Sequence, residues 1–424
     1  DAEEVFMKTK SQEMMAYQAV AAPAELAART NQWATAAERW FQVMEQFPNQ
    51  PGGYVGYGKA LVELERYDEA EDLFLAAKKL WVKAIQPLIG LARIASRTNQ
   101  WTIAAERWFQ VIEQFPNQLI GHIGCGNTLV ELERYDEAED LFQEAVHRWP
   151  DNEQVLLRLV NACYQNLHWP EALGYLEKAV AHFPDSRRVW LKYGDLLLDL
   201  YEFEKAEQVF FAAMGKWPEF STPFEKYART ARRSGRHVEA LNRWKVCIET
   251  FPDVITGYIG YGAEMSGLWK FEEAESVLTE ALMKWPDHKQ ILAGLANLYR
   301  LQRNWEKSIT TWKHLIHLEP DNRPAHIGLI GTLAEALKFD EAFDHYKSFK
   351  ESHAPRTPRE ALSMKRILTR LHTQSSQYDK AFQLTQEICK SKVHKLDYIS
   401  VHLNLADRMS DFLDDQAPDL VARL

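Results

Sequence analysis

A proline recurs with a fixed 34-residue period along most of this 424-residue chain, and that period limits the possible folds more than any other feature. The series runs Pro116, Pro150, Pro184, Pro218, Pro252, Pro286 and Pro320. Pro48 lies two periods earlier, and Val82 occupies the one missed position. A fixed period of about 20 to 50 residues is typical of architectures in which each unit packs mainly on its neighbours. We therefore expect an array of repeats rather than a set of globular domains.

A second period, twice as long, is superimposed on the first. The segment RTNQWTIAAERWFQVIEQFPNQ at 97–118 copies RTNQWATAAERWFQVMEQFPNQ at 29–50, and LVELERYDEAEDLF occurs identically at 61–74 and 129–142. Copies this similar indicate a recent tandem duplication of a block that contains two 34-residue units.

Each unit has the pattern of two helices joined by a tight polar turn, with the proline at the end of the second helix. One early position of the second helix holds a small residue in nearly every unit: Ala36, Ala70, Ala104, Ala138, Ala172, Ala206, Ala240, Ala274 and Ala342, with Ser308 as the exception. Four positions later stands a large residue: Trp40, Phe74, Trp108, Phe142, Leu176, Phe210, Trp244, Leu278, Trp312 and Tyr346. A large residue one turn from a small one predicts a close helix crossing.

This pattern resembles the tetratricopeptide repeat, a 34-residue helix hairpin. In the unit 187–220 the matching residues are Trp190, Tyr193, Gly194, Leu197, Ala206, Phe210, Ala213 and Pro218. The resemblance covers Ala24 to about Val393, and some strings, such as YVGYGKALVELERYDEAEDLF, look similar to bacterial repeats. It implies an all-α, right-handed superhelical solenoid of about eleven helix-turn-helix repeats, whose first helices line a concave inner face.

The register of the repeats predicts five segments. Residues 1–20 form an N-terminal helix that stops near Pro23, and 21–354 hold ten units of one period each. A five-residue phase slip at 355–361 forms a linker, 362–395 form an eleventh, weaker unit, and 396–424 form a C-terminal capping helix. The start without Met, and an apolar pattern that reaches Leu424, predict a fragment of a longer chain.

Composition and motifs argue against several classes of function. A net charge of -10 disfavours nucleic acid as the general partner, because phosphate binding requires a basic surface. We find neither a long uncharged apolar run nor a signal peptide, so a cytoplasmic protein without a transmembrane segment is expected. No catalytic motif is present. We therefore expect no enzyme activity within these residues, and no cofactor or metal.

Two other patterns each allow a functional and a structural interpretation. The glycine strings at 53–58 and 257–262 are spaced like a phosphate loop, but no strand precedes them and no GKS or GKT follows, which favours close helix packing. His314 and His317 lie one helical turn apart and could share a metal, although the sequence places no third ligand. We favour solvated helix faces for this pair.

The candidate binding residues lie on the first helices. At the ninth position, successive units show Lys59, Arg93, Asn127, Asn161, Asp195, Arg229, Ala263, Asn297 and Gly331. An asparagine there can pair with both the N–H and the C=O of an extended peptide. The carboxylate clamp of chaperone-binding family members needs a lysine four residues before such an asparagine, and this chain has Ile123, Leu157 and Ala293 instead. Capture of a chaperone C-terminus is therefore not expected.

Charge provides a second set of candidates. Arg29, Arg97 and Arg233 near the ends of some first helices alternate with acids in the units between them: Glu63, Glu131, Asp199 and Glu335. The densest basic cluster is Lys226, Arg229, Arg232, Arg233, Arg236 and His237. The simpler interpretation is a solvated face paired with neighbouring acids. The alternative is an anion pocket, because spacings of three and four place the arginines on one side of a helix.

Two hypotheses of function follow. The first is a non-catalytic scaffold that binds a protein, or an extended or acidic peptide, through its concave face. The second is the repeat region of a larger enzyme, such as a bacterial glycosyltransferase of a polysaccharide or protein-modification pathway; this hypothesis rests on family analogy. A transferase domain elsewhere in the full-length protein would distinguish the two.

Overall fold

The computed structural model describes residues 2–353 and 358–390, which form α-helices and turns without a strand. The helices belong to two compact units that divide between Glu202 and Phe203. Unit 1 contains α1 (Ala2–Arg29), α2 (Trp33–Gln46), α3 (Pro51–Glu63), α4 (Tyr67–Leu80), α5 (Ile85–Arg97), α6 (Trp101–Gln114), α7 (Leu119–Glu131), α8 (Tyr135–Arg148), α9 (Glu153–Gln165), α10 (Trp169–His182) and α11 (Arg187–Asp199).

Unit 2 continues the alternation of first and second helices. It contains α12 (Phe203–Lys216), α13 (Ser221–Arg233), α14 (His237–Thr250), α15 (Ile255–Gly267), α16 (Phe271–Lys284), α17 (Lys289–Leu301), α18 (Trp305–Leu318), α19 (Arg323–Glu335), α20 (Phe339–Ser352), α21 (Pro358–Gln374) and α22 (Tyr378–Lys390). The all-α repeat solenoid expected from the 34-residue period is confirmed.

The first helices form the more closely spaced layer of each unit. In unit 1, α3 contacts α5, α5 contacts α7 and α7 contacts α9; in unit 2, the odd-numbered helices from α13 to α21 contact each other in the same way. In the described part of the chain, no second helices of adjacent repeats are in comparably close contact. The first helices therefore lie on the inner side of each unit, and the second helices of adjacent repeats are more widely spaced.

The tight turns within the repeats share one backbone conformation. A residue with φ near +60° closes every hairpin from Asn31 to Leu337 once per 34-residue period, and Gly235 (φ 78°) occupies one of these positions. In the turn that follows α3, the N–H of Glu65 donates to the C=O of Val62 (3.2 Å), and the N–H of Arg66 donates to the C=O of Leu61 (2.9 Å). This pattern is the Schellman ending of a helix. The next turn after Leu337 comes at Ser376 instead of Leu371, which locates the five-residue phase slip in the backbone.

The large-on-small interlock extends to glycines of the neighbouring helix. Ala104 and Trp108 are buried together in α6, and the Trp108 ring lies against Gly124 of α7. A Cβ at Gly124 would lie 2.4 Å from that ring, so the contact requires glycine. The string at 53–58 lies inside α3, where Gly56 contacts Trp40 in the same way. These contacts support the packing interpretation of the glycine strings.

The prediction that a helix stops near Pro23 is wrong. Helix α1 runs without interruption from Ala2 to Arg29, through Pro23 and across the expected boundary at residue 20. A proline inside a helix costs roughly 3 kcal/mol, but Ala21, Ala24 and Ala27 are buried in the core that α1 shares with α2, and this packing offsets the cost. Alanine is also the best helix former, so the flanking sequence favours continuation.

The C-terminal predictions fall partly outside the described residues. Helix α21 begins at Pro358, within the expected 355–361 linker, whose first residues are not described. Helices α21 and α22 occupy the position of the eleventh unit, while the expected capping helix at 396–424 lies outside the described residues. Among the helices that are described, none has both the length and the apolarity of a membrane span.

Candidate functional site: a polar groove on the first helices of unit 1

A groove of about 540 Å³ lies across α3, α5 and α7 in unit 1. Its apolar lining comes from Phe74, Ile89 and Trp108, which belong to the repeat core or pack against it. Its polar lining includes Lys59, Arg93 and Asn127, which the ninth-position series predicts. Because these residues stand one per first helix, the 34-residue period brings them into a row across the groove.

Lys59 and Arg93 form a pair of like charges in this row. Both side chains are exposed, and neither makes a hydrogen bond or an ion pair with any described residue. The pKa of Lys59 lies below its usual value, first because the groove partly withdraws the amine from water and second because Arg93 is close. The two cations repel each other, and an anionic group bound between them would relieve the repulsion.

Asn127 continues the row with an unused amide. It is half-buried on α7, and its side chain makes no hydrogen bond with the described residues. Its oxygen and NH₂ group are therefore both available to a ligand, and a peptide backbone offers the complementary donor and acceptor. An extended segment lying over Lys59, Arg93 and Asn127 could bond to each of them.

A second row runs parallel to the first, one helical turn further along each helix. It consists of Glu63, Arg97 and Glu131, all of which line the groove. Arg97 bonds to Glu63 at 2.6 Å, so this arginine is already neutralised, whereas Glu131 has no partner among the described residues. The alternation of acids and bases at this position of the sequence indicates such pairing between neighbouring 34-residue repeats. The sequence did not show that these residues share a groove with the ninth-position row.

The sequence analysis did not identify Arg107, which links α6 to the neighbouring helices α4 and α5. Arg107 of α6 donates to the C=O of Leu91 in α5 (2.8 Å) and pairs with Glu71 of α4. Arg39 and Arg243 donate in the same way to the carbonyl 16 residues before each of them. Their common position, three residues after the recurrent alanine of the second helix, was the available signal.

The other two asparagines of the predicted site lie elsewhere. Asn161 is half-buried on α9 of unit 1, in line with the row but not among the residues that line the groove. Asn297 lies on α17 of unit 2, where its NH₂ group donates to the C=O of Ala293 in its own helix (3.0 Å). One donor of Asn297 is therefore already used, whereas the amide of Asn161 makes no bond with the described residues.

The basic cluster of unit 2 is largely paired. Arg232, at the end of α13, lies 3.1 Å from a carboxylate oxygen of Glu264, whose side chain is only 2% exposed. Arg236 bonds to Glu207 (2.6 Å) and Glu239 (2.9 Å), and His237 lies 3.3 Å from Glu264. These contacts fit the interpretation of a face paired with neighbouring acids better than that of an anion pocket.

The remaining members of the cluster differ from one another. Lys226 and Arg233 also interact with neighbouring groups. Arg229 is exposed and makes no ion pair with a described residue. Of this cluster, Arg229 is therefore the residue most available to bind an anion from outside the chain. The other cations without an acidic partner described above, Lys59 and Arg93, lie in unit 1.

Three cysteines of the described residues are buried, and His314 is paired with an acid. Burial raises the pKa of the Cys125, Cys163 and Cys247 thiols to about 12, so these cysteines are unreactive at neutral pH. His314 bonds to Asp287 (3.0 Å). Within the described residues, no group of three His, Cys, Asp or Glu side chains is arranged to hold a metal ion.

Comparison with known proteins agrees with the repeat geometry. Family models of the tetratricopeptide repeat match residues 22–84, 89–153 and 153–196. The chain is 25% identical over 295 residues to the human protein O-mannosyl-transferase TMTC3; the match covers 68% of this chain and 30% of that protein. The chain therefore spans less than a third of the curated relative that it matches.

The crystal structure of yeast Tom70 superimposes with a TM-score of 0.52 at 12% identity, covering 97% of this chain and 99% of that chain, which shows the same fold. YrrB, whose structure is described as a TPR protein with an unusual peptide-binding site, gives a TM-score of 0.34 at 22% identity, over 43% of this chain and 95% of its own. The family models therefore show tetratricopeptide repeats in residues 22–196, and the helix hairpins continue the same pattern along the described residues.

Proposed function

We propose that this chain is a non-catalytic scaffold that binds a partner protein, through an extended and acidic segment, on the first-helix face of unit 1. The observation that carries the proposal is the row of Lys59, Arg93 and Asn127, whose charges and amide have no partner among the described residues. Exposed cations without a counter-ion on an acidic protein attract an anionic partner and steer its approach. Members of this family bind proteins or peptides, which agrees with this use of the groove.

Capture of a partner from a lysate of the source cells tests the proposal. The wild-type chain is compared with Arg93→Glu, which reverses a charge inside the groove, and with Lys79→Glu, which makes the same change on α4 outside it. Lys79 is exposed and unpaired among the described residues, so it is a matched control. We expect Arg93→Glu to abolish capture and raised salt to weaken it. Capture that is insensitive to Arg93→Glu would contradict the proposal.

A second candidate function is supported by the human relative. That protein is named an O-mannosyl-transferase, and the match covers 68% of this chain but only 30% of the relative. A larger enzyme could therefore use these repeats to hold its acceptor protein, with catalysis in another domain. The full-length reading frame tests this candidate. A transferase domain, together with sugar transfer to the captured partner seen by mass spectrometry, would support it, and a full-length protein of repeats alone would exclude it.

A further inference from the structure

We infer that the groove of unit 1 recognises a segment carrying two acidic residues at i and i+3, with uncharged residues on one side of the pair. This inference rests on the proposed function and specifies its ligand. It comes from the order of side chains along one row: two cations, Lys59 and Arg93, and then two amides, Asn127 and Asn161.

The spacing of the acids follows from the geometry of helix packing. Lys59 and Arg93 occupy the same position on α3 and α5, which are in direct contact. Packed helices lie about 8 to 10 Å apart. A polyproline II segment advances about 3.1 Å per residue and turns once every three residues, so its i and i+3 side chains point the same way. A segment crossing the helices therefore advances about three residues from one helix to the next. An acid that meets Lys59 and an acid that meets Arg93 are thus separated by two residues.

The second row of the groove restricts which segments can bind. It carries Glu63, Arg97 and Glu131. Glu63 is held by Arg97, while Glu131 on α7 keeps an unpaired charge beside Asn127. A third acid placed over α7 would be repelled by Glu131, whereas a backbone amide would bond to Asn127. The acidic pair is therefore expected at one end of the segment only.

The same features favour a peptide over a single-stranded nucleic acid. A phosphate backbone carries a negative charge at every residue and would place charges beside Glu131 as well as beside the cations. A peptide can confine its charge to two positions and present neutral amides to Asn127 and Asn161. Single-stranded RNA is therefore included in the test as a competitor.

The test uses the full chain and short fluorescent Gly/Ser/Ala peptides measured by anisotropy. One peptide carries glutamates at i and i+3, a second carries them at i and i+1, and a third has glutamine at both positions. We expect the i, i+3 peptide to bind roughly five- to tenfold more tightly than the glutamine peptide, because charge-assisted bonds to Lys59 and Arg93 are lost in the latter. The i, i+1 peptide should lie between them.

A charge exchange makes the assignment specific. Arg93→Glu should remove the preference for the i, i+3 acids, and a peptide with lysine in place of the acid that faces residue 93 should regain affinity for this variant. Lys79→Glu, outside the groove, should leave the ranking of the peptides unchanged. Arg93→Glu should also raise, or leave unchanged, the thermal midpoint of the free protein, because it removes the repulsion between residue 93 and Lys59; this result shows that its lost binding is not unfolding.

The outcomes distinguish the acid-spacing inference from the proposed scaffold function. Equal binding of the three peptides, no binding of any of them, or stronger competition by poly-uridylate than by the i, i+3 peptide would each overturn the acid-spacing inference. The proposed scaffold function is overturned only if capture of the cellular partner is also insensitive to Arg93→Glu. Failure of the one is therefore distinguishable from failure of the other.

Discussion

Two glycines three residues apart on α19 give a direct test of how the repeats pack. A Cβ added at Gly328 would lie 2.4 Å from a ring carbon of Trp312, whereas a Cβ at Gly331 would meet nothing within 4 Å. Trp312 is the large residue of its repeat and is only 3% exposed. Gly328→Ala and Gly331→Ala are therefore the same chemical change on the same helix, with and without a clash.

The magnitude can be worked out from these distances. Replacing a helical glycine by alanine stabilises a helix by about 1 kcal/mol, and this gain is common to both sites. At Gly328 the Trp312 ring must also move by roughly 1 Å to reach an ordinary contact of about 3.5 Å, and such overpacking costs about 1 to 3 kcal/mol. We expect Gly331→Ala to stabilise by up to about 1 kcal/mol and Gly328→Ala to be less stable than it by about 1 to 3 kcal/mol.

Urea unfolding followed by far-ultraviolet circular dichroism measures the difference between the two variants. Because a repeat array can unfold in more than one step, hydrogen exchange of α18 and α19 should locate the loss of stability in Gly328→Ala. Adding Trp312→Phe, which shrinks the ring, should recover part of the loss. Equal shifts in the two alanine variants would refute the proposed glycine–tryptophan interlock.

Three further predictions concern the turns, pH and the thiols. Gly235 has φ 78°, so Gly235→Ala should lower the free energy of unfolding by about 1 kcal/mol, while Gly215→Ala, in open space on α12, should raise it; urea unfolding of the two variants checks this contrast. Burial lowers the pKa values of His326 and His345, the latter to about 4, whereas an unfolded histidine titrates near 6.5. The unfolded chain therefore binds more protons between these values, so stability should fall as pH drops from about 6.5 to about 4, and His345→Asn should flatten that dependence. Burial raises the pKa of Cys125 to about 12, so mass spectrometry should find it labelled by a thiol reagent only after unfolding; rapid labelling of the native protein would contradict its placement in the core.

The repeat architecture could be predicted from the sequence because the period appears directly in the residues. Ala104 and Trp108 alone indicate a close crossing, and the structure places both in the core. The course of α1 through Pro23 could not be predicted, since local rules end a helix at a proline and only the packing of Ala21 and Ala24 on α2 outweighs them.

The candidate site could be predicted only in part. The ninth-position series identified Lys59, Arg93 and Asn127, because the 34-residue period places equivalent positions side by side. The series does not show which of the charged residues are already paired with an acid. Arg232 is paired with Glu264, a buried acid on the next first helix, and nothing in the spacing of the arginines reveals that partner.

Site-specific photocrosslinking shows whether the groove of unit 1 is the surface that contacts the partner. A photoreactive amino acid replaces Asn127 in the groove or, as a control, Asp140 on the exposed surface of the second helix α8. Each variant is irradiated in lysate of the source cells, and the products are identified by mass spectrometry. We expect a covalent adduct with one partner at position 127, competed by the i, i+3 peptide, and none at position 140. An adduct at position 140 with none at position 127 would contradict it.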